Sequence, residues 1–503
     1  MAHTDSVPPG PDLGKGVPLA SVTRGGVLAG HVDGEPVLLS RLDDGCHAVG
    51  GSCTHYGAPL GEGLVVDGEV HCPWHHACFS LRTGEALRAP AFAPLARWHT
   101  EVVGDTVFVR AQEDAAPAQP SRPRVDPGAI VIVGGGAAGF AAATRLRDLG
   151  FSGRLTMLSA DADAPCDRPN LSKDYLAGTA DEDWIPLQGP EFYAEHRIDL
   201  RLGCEVAAID AAARQVVTGS GERLGFDALL IATGAEPRRL PLPGFDRPNV
   251  FTLRTLADAR AMIAACANAR SVAFVGAGFI GMEAAGALRT RGLEVHVVEP
   301  GEVPMARALG PEVGGFLAGL HRAQGVVFHL RATATGFDGR VLTLADGTTI
   351  DADMLVVGVG VTPRTQLAAA AGLDVDDGIV VDARLQSSVA GIYAAGDVAR
   401  YPHDGQRVRV EHWVHAERQG QAAAANMLGA AQAFTDVPFF WTHHQGVELR
   451  CSGTLHGWDE VRIDGEPSAR DFTARYYRRG KLVAAASVGR DLENLSIEAE
   501  LRG

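Results

Sequence analysis

The stretch Ile130-Val131-Ile132-Val133-Gly134-Gly135-Gly136-Ala137-Ala138-Gly139 decides the fold of the larger part of this chain. Its first four residues form a continuous β-branched run, as a strand buried on both faces of a parallel sheet requires. Glycines at the spacing G-x-G-x-x-G follow, and an alanine- and leucine-rich helical pattern continues to Leu149. Such glycines permit a tight turn and bring backbone N–H groups to a pyrophosphate at the helix N-terminus. The stretch therefore predicts a Rossmann unit that binds a dinucleotide.

The same arrangement occurs a second time. The run Val272-Ala273-Phe274-Val275 precedes Gly276-Ala277-Gly278-Phe279-Ile280-Gly281, and a helical pattern then runs to about Thr290. A lone G-x-G-x-x-G is weak, but each of these two follows a buried strand, opens a helix and has an acidic residue about twenty residues further on. We therefore expect two Rossmann units in one chain.

The acidic residues indicate which dinucleotides bind. The next strand of the second unit ends at Glu299, whose carboxylate can accept hydrogen bonds from both hydroxyls of an adenosine ribose and repels a 2′-phosphate. No arginine follows directly, so NADH is predicted over NADPH. In the first unit the acid stands at Asp161, where we expect a contact with the ribose of the other dinucleotide.

A different chemistry lies near the N-terminus, at Cys53-Thr54-His55 and Cys72-Pro73-Trp74-His75. Each cysteine has its own histidine, as C-x-H and C-x-x-H, whereas zinc sites pair C-x₂-C with H-x₃₋₅-H. In a Rieske [2Fe–2S] centre two thiolates hold one iron and two imidazoles hold the other. The spacing therefore predicts Cys53, His55, Cys72 and His75 as cluster ligands. The alternative is a pair of buried cysteines beside surface histidines.

The sequence between these features indicates the domain boundaries. Residues 1–16 are rich in proline and glycine and are predicted to be a disordered tail. Residues 17–112 show short alternating apolar runs broken by glycine and Asp-Gly, the pattern of a small β domain. Residues 113–128 are rich in proline and alanine and are predicted to form a semi-extended linker.

The composition excludes several classes of protein. The 503 residues carry a net charge of −16, which argues against nucleic-acid binding. No apolar stretch is long enough for a membrane span, and the start lacks the features of a secretory signal. Eight cysteines are too sparse for a disulfide scaffold. We therefore expect a cytoplasmic enzyme.

Besides the two glycine loops, the chain carries further specific motifs: Asp167-Arg168-Pro169-Asn170-Leu171-Ser172-Lys173, Ile231-Ala232-Thr233-Gly234, Glu283, Ile392-Tyr393-Ala394-Ala395-Gly396-Asp397, Glu411-His412-Trp413 and Phe439-Phe440-Trp441. With these motifs, the chain from residue 129 onward resembles the flavin-dependent ferredoxin reductases of bacterial oxygenase systems and the apoptosis-inducing-factor-like pyridine nucleotide-disulfide oxidoreductases. The cluster segment resembles the Rieske-type ferredoxins of dioxygenase systems, a family that usually has glycine where His76 stands. The whole chain resembles the Rieske-fused members of the reductase group.

The resemblance implies a multidomain fold. An all-β Rieske domain precedes an α/β reductase with two Rossmann units and an α+β C-terminal domain. The implied parts are an FAD-binding domain (129–246 and 371–430), an NAD-binding domain (247–370) and a C-terminal interface domain (431–503). A homodimer is left open.

The resemblance also implies roles for single residues. Lys173 near the flavin ring is expected to pair with Glu283 where nicotinamide docks, and we expect these two to be catalytic; a surface salt bridge is the alternative. Trp441 and Trp413 are expected near the isoalloxazine ring, or else in the core. The other cofactor-binding residues implied are Gly134, Gly136, Ala138, Gly139, Asp161, Arg168, Val206, Arg238, Asp397, Gly276, Gly278, Ile280, Gly281, Glu299 and Gly360.

Together these parts predict an NADH-dependent flavoprotein reductase with a fused Rieske ferredoxin. NADH delivers electrons in pairs and a Rieske centre accepts them singly, so FAD is expected to convert between the two. Electrons would run from NADH to FAD to [2Fe–2S] to an external acceptor such as an oxygenase. Two alternatives remain: a peroxide or disulfide reductase that uses Cys166, and an NADH-responsive redox-sensing interaction protein. His443 and His444 are predicted to be surface or supporting residues rather than metal ligands.

Overall fold

A computed structural model describes residues 9–113 and 124–502. The chain divides into two compact units. Unit 1 comprises the described residues 9–113 together with 490–502, and unit 2 comprises residues 124–489. The chain therefore passes from unit 1 to unit 2 and returns to unit 1 near its end.

Unit 1 is built from two antiparallel sheets and one helix. The six-stranded sheet has the order Val17–Pro18, Thr106–Gln112, Arg97–Val103, Gly45–Gly50, Glu35–Leu42 and Val27–Val32. The four-stranded sheet has the order Leu64–Val66, Glu69–His71, Cys78–Ser80 and Ala86–Arg88. Short 3₁₀ helices lie at Leu13–Lys15, Leu19–Ser21 and Leu60–Glu62, and the α-helix spans Asp491–Arg502.

The predicted disordered tail is wrong for residues 9–16. Leu13 has no exposed surface and packs in the core of the six-stranded sheet with Val37, Leu39 and Trp98. The side chain of Asp12 accepts a hydrogen bond from the Gly14 amide at 3.1 Å and starts the 3₁₀ turn. The amide of His31 also donates to the Pro11 carbonyl at 3.0 Å, so a buried leucine and hydrogen bonds together order this proline- and glycine-rich segment. Residues 1–8 lie outside the described residues.

The helix Asp491–Arg502, here called the returning helix, also differs from expectation. We predicted residues 431–503 as one interface domain, but residues 490–502 cluster with unit 1. The buried side of the helix carries Leu495, Ile497 and Glu498. These buried side chains pack within unit 1.

In unit 2 the first predicted Rossmann unit is a five-stranded parallel sheet. Val133 is aligned with Leu158 on one side and Ile231 on the other, so the glycine turn lies at the carboxyl edge of the sheet. The helix Ala137–Asp148 follows the turn. The strand order is Ile198–Arg201, Arg154–Leu158, Ala129–Val133, Ala228–Ile231 and Ile392–Ala394.

The second Rossmann unit repeats this construction. The strand Ser271–Val275 leads through its glycine turn into the helix Phe279–Thr290. The strand order is Val250–Phe251, Met354–Val357, Ser271–Val275, Glu294–Glu299 and Val327–Leu330.

The rest of unit 2 comprises smaller sheets and connecting helices. A five-stranded antiparallel sheet has the order Phe439–His444, Val447–Gly453, Lys481–Val488, Asp471–Arg478 and Glu460–Glu466. Smaller sheets are formed by Val206–Asp210, Gln215–Thr218 and Arg223–Gly225; by Ala334–Phe337, Val341–Leu344 and Thr349–Asp351; by Ala235–Pro237 and Val361–Pro363; and by Ile379–Val380, Ala399–His403 and Gln406–Val408. The remaining helices are Arg168–Leu171, Asp174–Ala177, Pro190–Glu195, Leu256–Cys266, Ala306–Ala323, Gln366–Ala370 and Trp413–Met427, with 3₁₀ turns at Glu182–Trp184 and Pro467–Ala469.

Most of the predicted linker, residues 114–123 of 113–128, lies outside the described residues. Among the residues that the structure describes, no helix combines the length and apolar character needed to cross a bilayer.

Candidate cofactor sites

The two predicted cluster loops in unit 1 have the same backbone construction. In each, the cysteine amide donates to the carbonyl five residues further on, and the cysteine carbonyl accepts from the amide four residues further on. These bonds measure 2.8 and 2.9 Å in the loop from Cys53, and 2.8 and 3.2 Å in the loop from Cys72. The fourth residue after the cysteine is left-handed in both loops, with φ of 79° at Gly57 and 59° at His76. The loops are therefore equivalent turns that present a cysteine and a histidine each.

The loops bring the predicted ligands together in like pairs. The Nδ1 atoms of His55 and His75 are 3.2 Å apart, and the thiols of Cys53 and Cys72 are in contact. Burial lowers the pKa of His55 to about 3, so its imidazole is neutral, the form that binds a metal. The Cys72 thiol and burial together raise the pKa of Cys53. Facing imidazole nitrogens and facing thiols fit a cluster with one iron held by each pair.

A cleft of about 1480 Å³ in unit 2 extends from the first glycine loop to the second. Typical small-molecule pockets measure about 300–1,000 Å³, so this cleft has room for more than one ligand. Predicted cofactor-binding residues that line it are Gly134, Gly136, Ala138, Asp161, Arg168, Lys173, Val206, Gly278, Ile280, Gly281, Glu283, Gly360, Asp397, Trp413 and Trp441. Among the described residues, Gly139, Arg238, Gly276 and Glu299 do not line the cleft.

The first glycine loop is a tight turn that leads into a helix without a side-chain cap. A Cβ atom at Gly139 would lie 2.0 Å from the Gly134 carbonyl oxygen, and one at Gly134, where φ is 118°, would lie 2.2 Å from the Ala232 oxygen. Within the described structure, no side chain caps the helices that begin at Ala137 and Phe279. Their first amides therefore remain available to an anion, as a dinucleotide pyrophosphate requires.

Arginines on the cleft wall support the same interpretation. Arg254 donates from Nη2 to Asp397 at 2.7 Å, and Arg168 pairs with Asp161 at 3.2 Å. The buried Nε atoms of Arg254 and Arg409 have no hydrogen-bond partner among the described residues. Arg168, Arg254 and Arg409 all line the cleft, and their positive charges fit a ligand that carries phosphate groups.

The predicted pair of Lys173 and Glu283 is buried. The Lys173 Nζ is 3.0 Å from Glu283 Oε1, and the two side chains are 13% and 3% exposed. Ser172 donates to Glu283 Oε2 at 2.5 Å. Lys173 also donates to the Pro169 carbonyl at 3.1 Å and lies 5.8 Å from the centre of the Trp441 ring. The alternative interpretation of this pair as a surface salt bridge is therefore wrong.

Behind Glu283 lies a buried chain of hydrogen bonds that the sequence did not predict. Thr442 Oγ1 is 2.6 Å from Glu283 Oε1 and 3.0 Å from His444 Nε2. His444 Nδ1 is 3.1 Å from His321 Nε2. Burial lowers the pKa of His321 to about 4 and that of His444 well below its usual value, so both rings are neutral.

The Glu283 carboxylate, at one end of this series of hydrogen bonds, determines which group donates in each of them. A carboxylate paired with lysine only accepts, so the Thr442 hydroxyl donates to Glu283 and must accept from His444 Nε2. The other nitrogen of His444 is then an acceptor, which makes His321 Nε2 the donor. His321 Nδ1 is an acceptor with no partner among the described residues. The chain thus orients Glu283 by donors only.

Glu299 lies at the second glycine loop. Its Oε2 accepts from the Ala277 amide at 2.9 Å and its Oε1 from the Gly301 amide at 3.0 Å. These bonds hold the carboxylate at the end of its strand, beside the turn. Arg238 Nε donates to the Val361 carbonyl at 2.9 Å on the small two-stranded sheet.

Cys166 lies in an apolar cluster rather than on the cleft wall. Its neighbours include Leu171, Tyr175 and Ile185. Burial raises its pKa to about 11, which leaves little of the thiolate that redox chemistry requires. No cysteine of the described residues is in a disulfide.

The sequence analysis missed Thr442 and named His444 only as a surface or supporting residue. Phe440, Thr442 and His444 are buried at alternate positions of one strand, but the sequence Thr442-His443-His444 is polar throughout and does not show which of these side chains face inward. Arg254 also had no local signal, because its partner Asp397 is 143 residues away in sequence.

Comparisons with known proteins match this architecture in three parts. A family described as pyridine nucleotide-disulphide oxidoreductase matches residues 128–420. A Rieske [2Fe-2S] domain matches residues 17–99, and a reductase C-terminal domain matches residues 439–497.

Individual relatives cover most of the chain. Apoptosis-inducing factor 3 of Homo sapiens is 34% identical over 476 residues, which are 90% of this chain and 78% of the relative. The ferredoxin–NAD(+) reductase component of an anthranilate 1,2-dioxygenase system of Burkholderia cepacia is 38% identical over 72% of this chain and 92% of its own length. The covalent putidaredoxin reductase–putidaredoxin complex is similar in structure, with a TM-score of 0.72 and 31% identity over 75% of this chain and 94% of that one.

The two glycine loops on one cleft, the arginines on its wall and the paired cysteines and histidines fit FAD, a nicotinamide dinucleotide and a [2Fe–2S] cluster. The chain belongs to the pyridine nucleotide-disulphide oxidoreductase family and is an oxidoreductase with a Rieske domain at its N-terminal end.

Proposed function

We propose that the chain is an NADH-dependent reductase that passes electrons through FAD and its own Rieske cluster to an external protein acceptor. When bound, FAD exchanges electrons in pairs with NADH and singly with an iron–sulfur cluster. The observation that supports the proposal is that one chain holds a cleft lined by two glycine loops and a separate pair of loops that brings two cysteines and two histidines together.

The residues of the cleft have distinct roles in this proposal. The helix that begins at Ala137 offers its amides to the FAD pyrophosphate, and the helix that begins at Phe279 offers its amides to that of NADH. Lys173 and Glu283 form a fixed ion pair on the wall between the two glycine loops. Because the pair is already oriented, it stabilises the charge that develops there without reorganising.

The acceptor is proposed from the relatives. One is the reductase component of a dioxygenase system, and another is joined to putidaredoxin. This chain carries a Rieske domain of its own, which would take the place of a separate ferredoxin. We therefore propose that its acceptor is the next protein in the electron-transfer sequence, such as a terminal oxygenase.

The thiol-based alternative has less support. A Cys166 reductase needs an accessible thiolate and, for disulfide chemistry, a second cysteine. Cys166 is buried among apolar side chains with a raised pKa. No observation in the structure favours the redox-sensing alternative over turnover.

The test uses acceptors that distinguish the flavin from the cluster. Ferricyanide takes electrons directly from reduced flavins, whereas in the proposed route cytochrome c takes them from the Rieske cluster. The variant Cys72→Ser should keep bound FAD and NADH–ferricyanide activity but lose the Rieske electron-paramagnetic-resonance signal and most cytochrome c reduction. The matched control is Cys46→Ser, a half-buried cysteine of the same unit outside the loops. Equal cytochrome c reduction by Cys72→Ser and the unchanged chain would overturn the proposed route.

A further inference from the structure

The returning helix carries a buried carboxylate, that of Glu498. The side chain of Glu498 is 2% exposed, on a helix whose other buried residues include Leu495 and Ile497. A buried charge is stable only when it is paired. The groups that pair with Glu498 therefore indicate its role.

Glu498 pairs with three groups of unit 1. Its Oε2 accepts from Nδ1 of His76, and its Oε1 lies 3.1 Å from Nη2 of both Arg88 and Arg502. Arg502 belongs to the returning helix, whereas Arg88 ends the strand that pairs with Cys78. His76 directly follows His75, a predicted cluster ligand. The carboxylate thus joins the end of the chain to the second cluster loop.

His76 is left-handed at the position where the first loop has glycine. Its φ is 59°, in the left-handed region, where a side chain costs energy and glycine does not. The equivalent residue of the first loop is Gly57, also left-handed, and a Cβ atom there would meet nothing within 4 Å. Thirteen other described non-glycine residues have a positive φ, so the backbone conformation alone does not distinguish His76. What distinguishes it is that its fully buried ring contacts the buried carboxylate of Glu498.

We propose that Glu498 is a positioning residue for the cluster: through His76 it holds the loop that presents Cys72 and His75, so the Rieske unit is complete only when the returning helix is docked. The inference rests on the assignment of the cluster to the two loops, and it goes beyond the proposed electron route. It gives the Rieske domain a structural element encoded about 400 residues downstream of it in the sequence.

The test compares two substitutions on the same helix in the full-length, cofactor-loaded protein. Glu498→Ala removes the partner of His76, whereas Glu500→Ala removes an exposed carboxylate of the same helix. The readouts are the rate at which the Rieske absorbance is lost to an iron chelator and the g-values of the dithionite-reduced cluster. Glu498→Ala should lose its cluster at least about tenfold faster and show shifted g-values. Glu500→Ala should match the unchanged chain in both.

A second substitution separates positioning from general packing. His76→Gly removes both the strained side chain and the contact with Glu498, and makes the second loop like the first. In that background the effect of Glu498→Ala on cluster loss should shrink by at least about threefold, as coupled residues require. Fully additive effects, or g-values unchanged in Glu498→Ala, would overturn the proposal.

If Glu498→Ala does not accumulate, Glu498→Gln provides the same comparison, with an expected acceleration of at least about threefold. FAD content is measured in every variant. FAD should stay bound throughout, because the changes lie in unit 1. A chain that holds no Rieske cluster even when unchanged would contradict the proposed function, which is a different result from equal cluster loss in the variants.

Discussion

Glu283 gains its orientation from side chains on separate elements. Lys173 and Ser172 contact it from the motif that follows the first Rossmann helix, and Thr442 contacts it from the antiparallel sheet. A hydrogen bond to a charged group contributes about 1.5–3 kcal/mol, so each donor matters. His444 and His321 add no charge, but they fix the direction in which the Thr442 hydroxyl points.

The first prediction removes that hydroxyl. Thr442→Val keeps the shape of the side chain, but it removes one donor from Glu283 and leaves the buried N–H of His444 unpaired. We expect the rate of flavin reduction at saturating NADH, followed by stopped-flow absorbance, to fall about tenfold. Thr442→Ser keeps the hydroxyl and should stay near the unchanged rate. Valine and serine variants with the same rate would show that the hydroxyl plays no part.

The second prediction concerns Glu299 and the choice of nucleotide. The unchanged chain should use NADH at least about tenfold more efficiently than NADPH. NADPH cannot form the charge-assisted hydrogen bond from its ribose 2′-position to Glu299, and the carboxylate repels its 2′-phosphate. Glu299→Gln should bring the ratio of the two kcat/KM values towards one. Glu302→Gln, at an exposed carboxylate just beyond the same strand, is the control and should leave the ratio unchanged. Equal use of both nucleotides by the unchanged chain would refute the role of Glu299.

At the scale of elements, the glycine turns position the whole cleft. Each joins a buried parallel strand to a helix whose N-terminus has no side-chain cap within the described structure. The close approach of Gly139 to the Gly134 carbonyl keeps the first turn tight. A side chain there would push the helix away from the strand.

The third prediction tests this with two glycines replaced by alanine. Gly139→Ala should lose bound FAD, because its Cβ atom would lie 2.0 Å from a backbone oxygen that cannot move away cheaply. Gly315→Ala lies inside the helix Ala306–Ala323, where a Cβ atom meets nothing within 4 Å. It should keep FAD and gain up to about 1 kcal/mol of stability from reduced backbone freedom. FAD content after purification and thermal unfolding check both, and retention of FAD by Gly139→Ala would count against the predicted pyrophosphate site.

Elements were predictable where the signal is local. The runs at residues 130–133 and 272–275 and the turns after them identify themselves by residue type and spacing, and the resemblance added the motifs around Lys173 and Asp397. The pairings of Glu283 with Thr442 and of His76 with Glu498 were not predictable, because 159 and 422 residues separate the partners. The segment 9–16 has the composition of a disordered tail, yet the buried Leu13 and hydrogen bonds at Pro11 and Asp12 order it.

At the scale of the whole molecule, the chain connects its two units twice. It leaves unit 1 through residues 114–123 and returns between Gly489 and Arg490. A fragment that ends at residue 112 therefore lacks the returning helix, and the part from 129 to 503 carries that helix without its unit. An experiment that separates the two units must therefore keep residues 490–502 with unit 1. One way is to join these residues through a linker to the C-terminal end of the N-terminal fragment.

Covalent connection also sets the kinetics that the proposed function requires. Two linked modules meet at an effective concentration fixed by the linker, not by the amount of protein in solution. Electron transfer from flavin to cluster within one chain is then a first-order process. Transfer between chains would be second-order.

The most direct test of the account is therefore a stopped-flow experiment that mixes NADH with the oxidised protein across a wide range of protein concentrations. Absorbance at the flavin and Rieske bands is followed separately, with Cys72→Ser as the control for the Rieske band. The account predicts that the flavin is reduced first and the cluster second, with a rate constant for cluster reduction that does not change with protein concentration. A rate that rises in proportion to protein concentration would contradict it.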